Sequence, residues 1–491
     1  MATKKIDMCN GPLFKKIILY TLPIMVTGVL QLLFNAADLV VVGQFGHNEY
    51  AVAAIGATSA LATLFVNLFI GISTGCAVTT AHAIGSGDHV ATKRAVHTSI
   101  PTAIICGVII AVLGILLCRP MLVLMGTTEE HGILGLATLY LRIYFGGMIF
   151  NMVYNFGAAI LRAAGDTQSP LKFLTVSGIL NVLLNVLFVT VFKMDVAGVA
   201  IATMVSQALS ATLVIIALMK RSDDCRLVLR DMRIHGRTLS KILRIGIPSG
   251  IQSSLFAISN VIIQSSINSF ESPAILAGNT AAASIEGFSY IMMNAFYQTT
   301  LNFVGQNDGA KKYDRIKRVL FICMGCTMTI GIVSGIVIYI FADPLLHLYI
   351  RDSSLSINDG LTLFKEQVQF LINPGTAEQV AAYNASLTAI DAGIIKLAFV
   401  CVPYFFCGMM ESATGTVRGL GCSFTPMITT VLSVCGVRIL WIYTIFQIPQ
   451  YHSLPSLFIS YPLSWMCATA FQLLIFLVVY KKRKRLTLKT T

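Results

Sequence analysis

Charge is scarce in this sequence. Asp, Glu, Lys and Arg make up 12% of its 491 residues, against roughly a quarter in a soluble protein. A chain so poor in charge cannot cover itself for water. With 56% apolar residues and a mean hydropathy of +0.77, its solvent over most of its length must be a bilayer. Catalytic signatures are missing as well: no Walker A sequence, no GxSxG with triad partners, no HExxH and no paired metal ligands. No nucleotide-binding domain is visible, which excludes direct ATP drive within the chain. No enzyme class is indicated, and no cofactor or metal is expected. The twelve cysteines lack a disulfide framework. Cys76, Cys106, Cys401, Cys407, Cys435 and Cys467 sit in apolar runs, and the CxxC of Cys323 and Cys326 has neither a second pair nor a His cluster. They read as small packing residues. A cleavable leader is not expected, because the apolar run after Lys15 and Lys16 is too long for a signal h-region.

What is present is a series of apolar runs. A bilayer core needs about 20 residues per helix. Twelve spans are predicted: 17–43, 51–82, 95–118, 133–162, 170–192, 196–219, 239–268, 274–304, 317–341, 389–417, 424–446 and 456–480. The net charge of +13 follows this alternation: 28 of the 35 Lys and Arg fall at the termini and in the even-numbered connections. The positive-inside rule therefore predicts both termini on the cytoplasmic side. It also explains the pI of about 9.2 without nucleic acid, since no soluble basic domain exists. His82, His89 and His97 fall around the first cytoplasmic turn and are read as part of a solvated loop.

The sequence repeats internally. The stretch from Leu22 (LPIMVTGVLQLLFNAADLVVVGQFG) parallels that from Ile247 (IPSGIQSSLFAISNVIIQSSINSFE). Ile84 onward (IGSGDHVATKRA) parallels Val304 onward (VGQNDGAKKYDR), and Arg162 onward (RAAGDTQSP) parallels Arg418 onward (RGLGCSFTP). Each half has six spans, an even number, so both enter the membrane with one polarity. The expected fold is all-α: twelve transmembrane helices in two parallel-repeat six-helix bundles. The expected organisation is a cytoplasmic N-terminus (1–16), a first lobe (17–219), a linker (220–238), a second lobe (239–480) and a basic tail (481–491). The second lobe carries an outer-loop insert at about 352–388, in which Leu361–Ile372 reads either as a short amphipathic surface helix or as a partly ordered loop. Asn384 begins an NAS sequon.

Ionisable groups inside spans are costly and mark candidate sites. Four stand out: Asp38, Glu286, Glu411 and Arg438. Asp38 lies near the outer end of span 1. Asn181 and Asn185 share one face of span 5 by their i, i+4 spacing, at similar depth by the helical rise of 1.5 Å per residue. This trio is a candidate proton or cation site, the alternative being a packing cluster of hydrogen bonds. Glu286 falls near mid-membrane in span 8, in company with Asn279, Tyr290 and Asn294. Glu411 lies in span 10. Arg438 in span 11 is a candidate counter-ion for either glutamate, while Arg142 and Lys396 sit nearer the outer ends. Met and aromatic residues crowd span 4 (Tyr144, Phe145, Met148, Phe150, Met152, Tyr154, Phe156) and span 8 (Met292, Met293, Phe296, Tyr297); they either pack, face lipid or line a cavity.

The span-1 sequence, the GSGDHVATKRAV turn, LRAAGDTQSP and its echo VRGLGCSFTP together resemble the multidrug and toxic compound extrusion (MATE) family over nearly the whole chain. The resemblance implies two six-helix lobes in a V shape around a central cavity. It implies a multi-pass cell-membrane protein, expected as a monomer, that exports cationic amphipathic small molecules against inward H⁺ or Na⁺. Asp38 matches the family's helix-1 acid and Asn181 the asparagine of its helix-5 pattern. Asn185 stands where that pattern commonly has an acid, which leaves the coupling ion open. Glu286 and Glu411 resemble second-lobe acids of some branches. The alternative is a flippase for a lipid-linked saccharide or cell-wall precursor, which would favour a strongly cationic cavity.

Overall fold

A computed structural model describes residues 5–48, 50–127, 129, 132–350, 368–369, 371–373 and 375–488, and among these no strand occurs. Twelve long helical segments follow one another: α1 (Leu13–Phe45), α2 (Ala51–Gly85), α3 (His89–Leu124), α4 (Ile133–Gly146 with Met148–Ala163), α5 (Gln168–Val191), α6 (Asp195–Met219), α7 (Gly236–Asn268), α8 (Pro273–Gly309), α9 (Tyr313–Ile340), α10 (Ala389–Gly419), α11 (Phe424–Gln447) and α12 (Leu454–Leu488). Ten are long and apolar enough to cross a membrane singly, and α4, bent by 45° at Gly147, is an eleventh. The remaining one, α8, is 37 residues long but carries Asn279, Glu286, Tyr290 and Asn294. A helix whose polar face looks into protein rather than lipid need not be apolar all round. Apolar side chains face outward elsewhere: on α3, Leu116 is 67% exposed, with Val112 and Ile105 beside it. Such a stripe is expensive in water and at home in hydrocarbon.

Two compact units share the chain. The first comprises Met1–Ser254, Leu301–Ile316 and Arg418–Phe424. Here α2 runs backbone to backbone against α7, and a Cβ at Gly71 would lie 2.1 Å from the Gly250 nitrogen. Only glycine allows that approach. The turns from both sequence halves meet at one end of this unit. Gln306 Nε2 donates to the Ala163 carbonyl at 2.7 Å, and a ring nitrogen of His82 lies 2.6 Å from the Gly419 carbonyl. The N-terminal segment is tied into the same end. Ile6 N donates to Gly165 O, Met8 is fully buried, and its carbonyl accepts from Asn307 Nδ2 at 3.1 Å and Arg315 Nε at 3.2 Å.

Two of the three histidines expected in a solvated loop are fixed within this unit. His82 also lies 3.5 Å from Asp308 Oδ2. His97 is buried, its Nδ1 2.7 Å from the Lys93 carbonyl, while its Nε2 accepts from Val228 N at 3.1 Å. The turn itself, 86–90, is exposed as expected; the 220–238 segment instead packs beyond it on α3, where it reaches His97. Only His89 is exposed, paired with Asp224.

The second unit comprises Leu255–Thr300, Lys317–Val417 and Thr425–Thr491. Its core gathers Tyr404, Phe458, Tyr461 and Trp465 around α10 and α12. Two helices here are irregular. In α10 a π-turn (Leu397–Cys401) and a 3-10 turn (Val402–Tyr404) interrupt the α ladder, and in α11 a π-turn spans Val431–Gly436. Pro403 has no N–H to continue the ladder in α10. Each π-turn adds a residue per turn and rotates the face that follows it.

The surface helix considered at Leu361–Ile372 lies for the most part outside the described residues. Beyond it, Ala377–Ser386 is helical behind a Thr376/Gln379 capping box. The sequon asparagine, Asn384, is buried and donates its Nδ2 to the His452 carbonyl at 2.7 Å, so the nitrogen that would carry a glycan is already engaged. All twelve cysteines are free.

Candidate functional site

In the first unit, α5 and α1 bring the three expected residues together. Asn185 Nδ2 donates to Asp38 Oδ1 at 2.5 Å and sits 3.3 Å from Asn181 Oδ1. Asn181 in turn donates to Thr203 Oγ1 on α6 at 3.4 Å. Asn185 is fully buried, Asn181 nearly so, and Asp38 half-buried. Among the described residues no Lys, Arg or His nitrogen lies within 4.0 Å of the Asp38 carboxylate. Among the described residues the buried Asn185 Oδ1 has no hydrogen-bond partner. One carboxylate and one amide oxygen therefore stand side by side as acceptors, chemistry suited to a proton or a small hard cation. Tyr140 and Tyr144 of α4 stack on one another, centroids 5.9 Å apart, within electrostatic reach of Asp38. Tyr140 and Thr203 were not singled out from sequence. Both follow from the regular rise of neighbouring helices, but only once the neighbours are known.

In the second unit a cavity of about 400 Å³ is lined by Glu286, Glu411 and Arg438, all three expected as site residues, together with Asn279 and Tyr290. It also exposes Lys396, which the sequence placed nearer the outer end. Lys396 Nζ lies 3.5 Å from Glu286 Oε2 and 3.4 Å from the Asn279 carbonyl. The cation paired with Glu286 is therefore Lys396. Arg438 instead lays its guanidinium over the Tyr461 ring, 4.0 Å from the centroid, with Trp465 at 5.8 Å, and its Nε donates to Ser464 Oγ at 3.1 Å. The physical reason is the pair of π-turns. Lys396 directly precedes one and Arg438 closely follows the other, so their directions differ from those a regular helix would give. A guanidinium over an aromatic face is favourable by roughly 0.5–2 kcal/mol, more when desolvated.

The Met and aromatic residues noted in sequence mostly pack. Phe145, Met148, Met152 and Phe156 of α4 are fully buried, as is Met293 of α8, and Phe296 nearly so. Met292, Met293, Phe296 and Tyr297 do not line the cavity; Tyr290, Tyr404, Tyr461 and Trp465 do. Groups of three or more His, Cys, Asp or Glu arranged to hold a metal are absent among the described residues.

A bundle of long apolar helices with ionisable groups turned inward defines an integral membrane protein. The MatE family model matches residues 23–187 and 248–362, more than half of the chain. The chain belongs to the MatE family, the multidrug and toxic compound extrusion transporters, and is a multi-pass membrane protein rather than an enzyme. It is 29% identical over 345 residues to the probable multidrug resistance protein YoeA of Bacillus subtilis, covering 68% of this chain and 73% of that relative. It is 25% identical over 424 residues to the probable multidrug resistance protein NorM of Thermotoga maritima, covering 83% and 89%. A solved MATE structure in the bent conformation matches with a TM-score of 0.81 over 99% of both chains at 20% identity, a likeness of fold.

Proposed function

We propose that this protein is a secondary active exporter of cationic amphipathic small molecules, driven by inward H⁺ or Na⁺ through alternating access. It works as a monomer in the cell membrane with both termini cytoplasmic, as the distribution of Lys and Arg favours. The observation that carries the reading is Asp38. Its carboxylate is half-buried in the membrane, has no cationic partner among the described residues, and is held by Asn185. A buried carboxylate without a counter-ion is a site at which one unit of charge can arrive and leave. When the ion binds, the charge-assisted bond from Asn185 weakens and α1 is released from α5. When the ion departs inward, the bond reforms. Coupling follows because the ion has differential affinity for these two states.

The cavity lined by Glu286 and Glu411 is the proposed substrate site, with aromatic walls suited to flat amphipathic molecules. The second reading, a lipid-precursor flippase, calls for a cationic cavity. Here two carboxylates stand against Lys396 and Arg438, so the formal charges cancel and the export reading is favoured. The test is efflux of a panel of organic cations from proteoliposomes under separate H⁺ and Na⁺ gradients, with Asp38→Asn alongside wild type. Ion-driven efflux that disappears in the variant supports the reading; wild-type rates in the variant overturn the role of Asp38.

A further inference from the structure

We propose that the end of α12 is a binding site for an anionic phospholipid, with an acyl chain along an apolar stripe and the phosphate on three cations that continue that stripe. The proposal goes beyond the export reading and does not rest on it. Phe471, Leu474 and Val478 are exposed on α12, Val478 by 68%. Lys481, Lys482 and Arg485 are exposed in the turns that follow. At 3.6 residues per turn, all six fall within about 80° of Leu474 around the helix axis. The opposite face of these turns is the packed one. Phe476 and Gln472 are buried there, and Gln472 Nε2 donates to the Pro426 carbonyl and to Thr430 Oγ1 of α11.

Charge and depth agree with this occupant. No Asp or Glu follows Glu411 in the sequence, and no carboxylate lies within 4.0 Å of Lys481, Lys482 or Arg485 among the described residues. The helix dipole favours cations in the last turn, but it acts alike on every face. The positive-inside rule counts charges on one side of a membrane and assigns them no face either. Of the five basic residues from Lys481 to Arg485, these three are the exposed ones, and they continue the face that meets lipid. The rise from Lys481 to Arg485 is about 6 Å, close to the headgroup layer of about 5–8 Å on each side of a bilayer. Lys and Arg stems lie along apolar surface while their charged ends stay in the polar layer. A phosphate there meets three cations with no competing acid, whereas the trimethylammonium of a zwitterionic lipid meets like charge.

The test is binding of tritiated dioleoyl phosphatidylglycerol to the purified full-length protein in detergent. The competitors are unlabelled phosphatidylglycerol, dioleoyl phosphatidylcholine, glycerol phosphate and poly-glutamate. Phosphatidylglycerol is expected to displace at concentrations at least about tenfold lower than phosphatidylcholine, and the two soluble anions to displace little. That preference is expected to fall at least about fivefold in Lys481→Gln/Lys482→Gln/Arg485→Gln and to survive in Lys481→Arg/Lys482→Arg. The control, Arg226→Gln/Arg230→Gln/Arg237→Gln, removes three exposed cations from the 220–238 segment and is expected to leave the preference unchanged. Equal potency of the two lipids on wild type overturns the proposal. So does a preference that the α12 substitutions leave intact, or that the control lowers equally. Displacement by glycerol phosphate or poly-glutamate at the potency of the lipid would show a surface that takes any anion, and overturns the lipid as its occupant. No ion gradient is involved, so failure of export and failure of this proposal are read separately.

Discussion

Asn185 Nδ2 lies 2.5 Å from Asp38 Oδ1, joining α5 to α1 through a hydrogen bond to a carboxyl oxygen. When the acceptor is ionised such a bond contributes about 1.5–3 kcal/mol, more than a neutral one. Asp38→Asn preserves volume and reach but removes the charge. The variant is expected to fold, to elute as a single species, and to lose ion-driven efflux by at least about tenfold, about 1.4 kcal/mol. Efflux rates in proteoliposomes at fixed gradients measure this. Asn185→Leu is expected to show the same loss, since it leaves the carboxylate without its donor; a Leu variant that exports like wild type would show the bond to be incidental.

Glu286 and Lys396 are a buried pair, with side chains 19% and 6% exposed. Removing one partner strands the other charge, which typically costs about 3–5 kcal/mol, whereas replacing both by apolar groups of similar size is often neutral. Lys396→Met alone is therefore expected to lower the midpoint of thermal unfolding in detergent by several degrees, and Glu286→Met likewise. The double variant is expected to recover most of the loss. Additive losses in the double variant would show that the two side chains do not depend on one another.

The two sites differed in how far they could be read from sequence, and the helices explain why. Asp38, Asn181 and Asn185 sit on stretches of α1 and α5 that precede the π-turn Leu187–Val191, so the regular rise of 1.5 Å per residue puts them at one depth and one face. The spans were legible because lipid demands long apolar runs, and even α8 was recognisable despite its polar face. The pairing of Glu286 with Lys396 was not legible. It joins α8 to α10 where Lys396 abuts a π-turn, and it depends on which helices pack side by side. Arg438 was identified as a candidate counter-ion, but its ring partners, Tyr461 and Trp465, lie on α12 and nothing in the local sequence names them. The 220–238 segment shows the same limit. It was legible as a linker, but nothing in its sequence tells that it supplies the backbone N–H that binds His97.

Glycine content supplies a sharper contrast than composition alone. In α2, a Cβ at Gly71 would lie 2.1 Å from the Gly250 nitrogen, while one at Gly56 would meet nothing within 4 Å. The obstacle at Gly71 is backbone, which cannot step aside as a side chain can. Overpacking of this kind costs about 1–3 kcal/mol or more. Gly71→Ala is expected to lower thermal stability in detergent by several degrees and Gly56→Ala to leave it unchanged. Equal effects at the two positions would mean that α2 and α7 tolerate separation.

Asp223 lies in the 220–238 segment and ties the N-terminal segment to it. Arg221 forks onto its carboxylate through Nε at 2.8 Å and Nη2 at 2.6 Å, and Lys5 Nζ approaches at 3.1 Å. Burial alone would raise the carboxyl, but the bonds and charge of Arg221, with Lys5, outweigh it and hold Asp223 well below the usual carboxylate range. A carboxyl depressed in the folded state contributes stability that is fully present above its unfolded value of about 4 and is lost as pH falls towards the folded value. Cys225, two residues on, is a built-in reporter. Its thiol is buried, and burial, with the Asp223 charge, pushes it up to about 12, so it stays unreactive while the segment is docked. In Asp223→Asn at pH 7, labelling of Cys225 by a pyridyl disulfide, quantified by mass spectrometry, is expected to rise about fivefold, corresponding to about 1 kcal/mol for a partly exposed charged pair. In wild type the same rise is expected only on acidification below about pH 4, while the variant is already labelled and responds little. Labelling of Cys225 that is indifferent to both the substitution and the acid would show that the segment is held by its apolar contacts and by His97 rather than by Asp223.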